Sequence, residues 1–343
     1  MVQSDNNLVD INLFFYNSQR TLNDVIASIV KQTWKSWRLL LIDNGSTDQS
    51  PALVEKWAAR DERISVKRLA RNQGVVGGLR TAFQEGNAPF VLPKTGDDIL
   101  VEYFIERILE VMISNPGYAM CHSGAVNVDP CSGRESLVPP SCYLHAAAEQ
   151  SPIERAEHVM RTYTFAPAFW GIYRREFVQN CLLPLYMPSS DHAFLAELSL
   201  YGGITHVREV LFLRDSGPQD IKKAALAGDL AVVRNGSFQD LFVDFFVHVP
   251  RLACVWAHVK VFSLAKIDLN TRLSLMKKAR LVFQERWGPY IKSEIDNFRH
   301  FIVPQIKDKI KFHYVNGDVA ACIILSSNLE NIQNVMEWFE NDI

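Results

Sequence analysis

The chain has 343 residues, 48% of them hydrophobic and 22% charged, a balance that excludes disordered, collagen-like and coiled-coil classes. Lys plus Arg total 36 against 38 Asp plus Glu, a net charge of −2, so the basic excess of a general nucleic-acid binder is missing and no nucleic-acid partner is expected. Six cysteines without a Cys-x-x-Cys spacing point to a reducing compartment rather than a disulfide scaffold.

Residues 9–15 form an apolar, β-rich run, and 21–31 place Leu22, Val25, Ile26, Ile29 and Val30 at helical spacing. Further strands are expected at 38–42, 64–69 and 89–93, with helices at 50–60, headed by Pro51, and at 75–84. This alternation predicts a parallel sheet with helices on both faces, and the unbroken apolar strands suit a sheet covered on both sides. From about 101 the order changes. A helix at 103–113, a strand at 118–122, an irregular stretch at 123–150, a helix at 151–162, a strand at 169–173, a helix at 192–201 and one or two strands in 205–213 are expected. Beyond about 215 the β signal fades. Residues 218–310 read as mostly helical, and 315–343 as a further helix with two β-possible stretches. The expected organisation is an α/β region, 1–214, and a mainly helical region, 215–343. The N-terminus lacks the basic patch and apolar core of a signal peptide. No run reaches the ~18 apolar residues of a spanning helix. The nearest, 241–264, is broken by Asp244, His248, Pro250, Arg251, His258 and Lys260. A cytoplasmic protein, with at most peripheral membrane contact, is expected.

Polar residues follow three of the strands: Tyr16-Asn17, then Asp43-Asn44-Gly45-Ser46-Thr47-Asp48, then Thr95-Gly96-Asp97-Asp98. In an open α/β sheet the ligand crevice lies outside the carboxyl ends of the strands. Each segment also has a plainer reading. Asp43-Asn44-Gly45-Ser46 makes a good turn, Asp48 can cap a helix, and Asp97-Asp98 can cap one with a favourable dipole contact. Three on one rim favour a binding site. Asp97 and Asp98 are candidate ligands for Mg²⁺ or Mn²⁺, which take one or two carboxylates plus substrate phosphates and neutralise a departing diphosphate. The site therefore suits a nucleotide carrying a diphosphate.

On these residues the sequence resembles the family 2 glycosyltransferases, inverting enzymes with the GT-A fold, a Rossmann-like mixed sheet flanked by helices. The likeness covers about 9–214. It rests on Phe15-Tyr16-Asn17, on Ile42-Asp43-Asn44-Gly45-Ser46-Thr47-Asp48, on Arg71-Asn72-Gln73-Gly74 and on Thr95-Gly96-Asp97-Asp98, in the family's order and spacing. The resemblance implies that Tyr16, Asn17, Asp43, Asn44 and Arg71 line the nucleotide pocket, with Asp97 the metal-binding aspartate and Asp98 beside it. Thr95 stands where the family's first motif aspartate usually is. The family's catalytic carboxylate falls on Asp191, with Ser190 replacing the Glu that usually precedes it. An inverting transfer needs such a base to take the acceptor hydroxyl proton, although Asp191 also reads as a helix cap. His192 either orients Asp191, touches the acceptor or simply packs.

Trp170 and Gly171, in the segment before the acceptor site, are candidates for stacking on a sugar and for close substrate approach, although Trp170 also reads as a core residue. Arg174, Arg175 and Arg214 are candidates for phosphate contact. The implied reaction moves a sugar from a nucleotide-diphosphate donor, a UDP-sugar above all, to a hydroxyl of a glycan or lipid-linked acceptor, in surface polysaccharide synthesis. Two rival readings are a nucleotidyltransferase, for which the loop after strand one lacks the Gly- and Lys-rich character, and a degenerate binding subunit, which Thr95 and Ser190 keep open. Region 215–343 lies outside the resemblance. Phe242, Phe245, Phe246, Val247, Trp256, Val259 and Phe262 can build a helical core, a homodimer contact or a lipid-facing surface. Lys277, Lys278, Arg280, Lys307, Lys309 and Lys311 can be solvated faces or meet an anionic membrane.

Overall fold

A computed structural model describes residues 5–129, 131–163, 166–183, 189–215 and 250–340. The strands are β1 (Val9–Phe15), β2 (Trp37–Asp43), β3 (Ile64–Arg68), β4 (Phe90–Thr95), β5 (Ile99–Leu100), β6 (Tyr118–Val128), β7 (Glu135–Leu137), β8 (Ile172–Arg174) and β9 (Gly203–Asp215). Interleaved with them are the helices α1 (Leu22–Val30), α2 (Ser50–Ala58), α3 (Gly74–Gln84), α4 (Phe104–Ser114), α5 (Pro152–Thr162), α6 (Arg175–Val178) and α7 (Ser190–Tyr201). The C-terminal part is helical, with α8 (Pro250–Leu264), α9 (Leu269–Asn297), α10 (Val303–Val315) and α11 (Val319–Glu340). The tail, expected to be helical with two β-possible stretches, is helix over Val319–Glu340. Phe242, Phe245, Phe246 and Val247 lie outside the described residues.

The sheet runs β3-β2-β1-β4-β8-β6-β9-β5, with β7 on β6. As the alternating pattern demands, β1 to β4 are parallel. Every residue of β1 is buried, as a strand covered on both faces requires. The sheet turns mixed at β8, a three-residue strand antiparallel to both β4 and β6. Phe169, expected to open that strand, ends a 3-10 turn (Ala166–Phe169) instead. The supposedly irregular stretch after His122 is strand as far as Val128. Ser123-Gly124 interrupts the apolar run, and the register against β9 shifts there. A Cβ on Gly124 would lie 2.4 Å from the Tyr143 hydroxyl, so the glycine that hides the strand is one the packing requires.

One core layer joins the sheet face, α5, α7 and the C-terminal helices. Val159, Met160 and Phe194 pack in it together with Val255, Phe262, Phe283 and Ile295. Among the candidates for a C-terminal core, Phe262 is buried, and Trp256 and Val259 are half-buried against the same layer. Lys278 pairs with Glu157, and Arg161 bridges Glu157 and Glu285 at 2.9 and 2.5 Å, tying α9 to α5. Arg174 and Arg175 do not reach any phosphate site. Arg175 bonds Asp10 at 2.9 Å, at the start of β1, the edge opposite the rim, and Arg174 donates to the Met112 carbonyl at 2.7 Å. Asp10 also takes Arg38 at 2.6 Å, which satisfies its buried carboxylate.

Glu197 on α7 is fully buried, and burial pushes its carboxyl up to about 8, although Oε2 accepts the Leu182 N–H at 2.9 Å. Folded Glu197 thus keeps its proton to about pH 8, whereas an unfolded Glu releases it near 4.5. Folding takes up a proton between those values, so this group's contribution to stability falls as pH rises through that window and levels off above it. Gln cannot titrate and can still accept from Leu182. Urea unfolding of Glu197→Gln at pH 5 and pH 8.5 is expected to lack the decline, a difference on the order of 4 kcal/mol between the proteins.

Candidate active site

The carboxyl ends of β1, β2, β3 and β4 lie side by side, because Phe15 pairs with Asp43, Asp43 with Arg68 and Phe14 with Thr95. Their loops form one rim. Asn17, at φ 49, turns out of β1 into the left-handed region and ties the first two loops together. Its Oδ1 accepts the Thr47 N–H at 2.8 Å, and its own N–H donates to Ser46 Oγ at 3.0 Å. Tyr16 beside it is exposed. Asp43 is buried, with Oδ1 accepting the Ser46 N–H at 2.8 Å. Gly45, at φ 79, lets this loop lie against the next: a Cβ there would sit 2.7 Å from the Asn72 nitrogen and 2.8 Å from the Arg71 carbonyl carbon. Arg71 is exposed at that junction.

Asn44 corrects the expectation for it. Its amide donates to Asn72 Oδ1 and the Gly74 carbonyl, both at 3.0 Å, and its Oδ1 accepts the Gln73 N–H at 2.9 Å. It is buried and committed to the 72–74 turn, so it shapes the pocket wall rather than meeting a nucleotide.

The paired aspartates separate into two environments. Asp97 is exposed and lines an open cleft of about 270 Å³, with Arg20, Asp24, Arg214 and Asp215. Asp98 points inward, which corrects its assignment as a metal ligand. It is buried, Oδ2 accepts from Thr95 Oγ1 at 3.2 Å, and Oδ1 accepts the Asp215 N–H at 3.0 Å. Burial raises its carboxyl to about 6, against the pull of the Lys94 ammonium. Lys94, fully buried behind the motif, has its own pKa lowered by burial. Sequence reasoning missed Lys94, and the signal was there: a lysine inside an otherwise apolar strand, directly before the acidic motif. Thr95 holds Asp98, a use for the residue that departs from the family pattern. One outward carboxylate at the mouth of a cleft fits Mg²⁺ or Mn²⁺, which take few protein ligands when phosphates complete the shell.

Asp191 lies in the first turn of α7, where the helix dipole favours a carboxylate. Its Oδ2 accepts from the Tyr163 hydroxyl at 2.7 Å. Tyr163, at the end of α5, is the second residue the sequence did not disclose, since its spacing of 28 residues from Asp191 carries no signal. Burial and the neighbouring carboxylate push the phenol pKa well above its usual value, so the hydroxyl remains a donor. Arg214 lines the cleft with Asp97 and acts electrostatically on both Asp98 and Tyr163. Asn17 and Ser189 are the non-glycine residues with positive φ among the described residues, one at the rim and one just before Asp191. Backbone strain of this kind collects where geometry serves a site.

His192, Gly171 and Trp170 do not join this group. His192 is buried edge-on to Tyr163, ring centroids 5.0 Å apart, and its Nδ1 lies 2.7 Å from His258 Nε2. His258 Nδ1 in turn lies 2.7 Å from the Cys254 carbonyl, so each imidazole donates from Nδ1. Burial lowers both pKa values, to about 4 for His258, and the pair is a neutral interior chain. Gly171 is required by packing, since a Cβ would lie 2.3 Å from the Cys121 carbonyl oxygen. Gly171→Ala is expected to lower stability by about 2 kcal/mol or more in thermal unfolding. Trp170 is half-buried against both core layers and edge-on to Phe169 at 5.3 Å.

Tyr163 is buried and its hydroxyl is committed to Asp191, so it is a candidate to position that carboxylate. Tyr163→Phe is expected to lower kcat about tenfold, in line with the loss of one hydrogen bond to a charged group, and to leave the donor KM unchanged in steady-state assays.

Comparison with known proteins bears on what this arrangement does. Residues 11–180 match the model for "Glycosyl transferase family 2". The cholesterol galactosyltransferase of Borreliella burgdorferi is 31% identical over 303 residues, covering 86% of this chain and 74% of that one. A UDP-Glc:alpha-D-GlcNAc-diphosphoundecaprenol beta-1,3-glucosyltransferase of Escherichia coli is 30% identical over 111 residues, 32% of this chain and 43% of that one. The chain spans about half the length of several curated relatives it matches. Among solved structures, S. aureus TarS 1-349 in complex with UDP-GlcNAc superposes with a TM-score of 0.52 at 17% identity, over 85% of this chain and 89% of that one. At that identity the likeness extends to the fold.

Proposed function

This chain belongs to glycosyl transferase family 2, and on that premise we propose that it is an inverting, cation-dependent glycosyltransferase that moves a sugar from a UDP-sugar to a lipid-linked hydroxyl. The observation that carries this reading is the exposed Asp97 carboxylate on a cleft it shares with Arg214, together with an Asp191 carboxylate held by Tyr163 in the first turn of α7. Asp43 and Tyr16, with the loop that Asn17 braces, receive the nucleoside. A bound Mg²⁺ or Mn²⁺ on Asp97 would neutralise charge on the departing diphosphate. Arg214 adds a fixed positive charge beside it. Asp191 accepts the acceptor's hydroxyl proton as its oxygen forms a bond to the anomeric carbon. The bond from that carbon to the phosphate oxygen breaks, and its electron pair leaves on the nucleoside diphosphate. Residues 1–214 hold this machinery, and 215–343 serve the acceptor side. The names of two relatives specify lipid acceptors, cholesterol and a diphosphoundecaprenol-linked sugar, which supports a lipid acceptor here.

Donor hydrolysis without acceptor tests the reading. With UDP-glucose, UDP-galactose, UDP-GlcNAc and GDP-mannose, each with Mn²⁺ or Mg²⁺, slow release of UDP from one donor is expected. Release of no nucleotide under any condition would leave the degenerate binding subunit as the better account.

A further inference from the structure

The turn between α10 and α11 carries an apolar tip that nothing in the donor site uses. Phe312, Tyr314 and Val315 close α10, and Val319 and Ile323 open α11; all five are 63–76% exposed. Among the described residues seven large hydrophobics exceed 60% exposure, and these five fall within twelve consecutive positions. Apolar side chains scattered singly over a surface are ordinary, but a cluster with a polar border marks a contact surface. Here the border is basic. Lys307 and Lys311 are exposed one helical turn apart on α10, next to the turn that bears Phe312 and Val315. The nearby acids are Asp308 and Asp318, and Asp318 is engaged with His313 at 3.3 Å.

We infer that this tip docks on an anionic membrane surface, the aromatic and aliphatic side chains entering the headgroup boundary and Lys307 and Lys311 meeting lipid phosphates. The charge argues for lipid over a second copy of the chain, because a two-fold contact through the tip would bury the same patch on both copies and so bring two basic borders into one interface. No helix among the described residues is long and apolar enough to cross a membrane, so the contact is interfacial. The inference extends the proposed function to where a lipid-linked acceptor is met. It is measured without turnover, so either reading can fail alone.

The test is sedimentation of the full chain with phosphatidylcholine vesicles, with and without phosphatidylglycerol. The wild type is expected to pellet with the anionic vesicles. Lys307→Gln with Lys311→Gln is expected to weaken that binding about 25-fold, at roughly fivefold per lysine. Phe312→Ser with Val315→Ser is expected to abolish pelleting while donor hydrolysis and the circular dichroism spectrum stay unchanged. Wild type that ignores anionic vesicles, or tip variants that pellet as well as wild type, would overturn the inference. So would a dimer in sedimentation velocity that the Phe312→Ser, Val315→Ser variant dissolves while vesicles have no effect.

Discussion

Asp191→Asn is expected to lower kcat for sugar transfer about 10³-fold, the middle of the range for loss of a general base, with the affinity for nucleotide unchanged. Asp191 lies in the first turn of α7, one oxygen held by Tyr163, and Arg214 acts on that hydroxyl from the side of the cleft. Asn keeps the shape and can still accept from Tyr163, but it cannot take a proton. The fall should therefore appear in kcat, with the donor KM and the melting temperature near wild type. Slow donor hydrolysis should survive better than transfer, because water is in excess and the acceptor alcohol is not. Equal loss of nucleotide affinity would mean that Asp191 belongs to the donor pocket instead.

Asp97→Ala should show the opposite pattern. Asp97 is the exposed member of the acidic pair, on the cleft with Arg214, whereas Asp98 is spent on Thr95 and the Asp215 N–H. Removing the outward carboxylate is expected to cut kcat/KM by about 10²–10³, from loss of several kcal/mol of charge stabilisation. The donor KM should rise with it, and titrating in more Mn²⁺ should recover part of the rate. Asp98→Asn acts differently. It removes a buried titrating group beside Lys94, so its main effect falls on the rim's stability and not on the metal dependence of the rate.

The contrast between the two aspartates shows where the sequence was informative. The alternation of apolar runs and amphipathic segments over residues 9–95 placed four parallel strands, because a strand buried on both faces needs an unbroken apolar run. The loops at their carboxyl ends then had to share a rim, so Asn17, Asp43, Arg71 and Asp97 were brought together by topology alone. Which of two adjacent carboxylates faces water was not legible. That depends on Lys94, buried within β4, and on an N–H from the end of β9, 117 residues away. Tyr163 and Asp191 met only through the packing of α5 against α7, for which a local pattern carries no register. The same limit explains the residues that moved inward. Trp170, Gly171 and His192 sit where the family segment suggested an acceptor, yet each is spent on packing, against Phe169, the Cys121 carbonyl and His258. Asn44 looked like a ligand because an Asn in a turn and an Asn in a pocket read alike. Its three hydrogen bonds decide between them.

The central claim, that the rim around Asp97 holds a nucleoside diphosphate through a divalent cation, is tested most directly by calorimetric titration of UDP, GDP and dTDP into the protein with and without Mn²⁺. Binding of one of these nucleotides, strengthened by Mn²⁺ and lost in Asp97→Ala but kept in Asp191→Asn, is the predicted result. Nucleotide binding that ignores both Mn²⁺ and the Asp97 carboxylate, or no binding of any of the three, would contradict it.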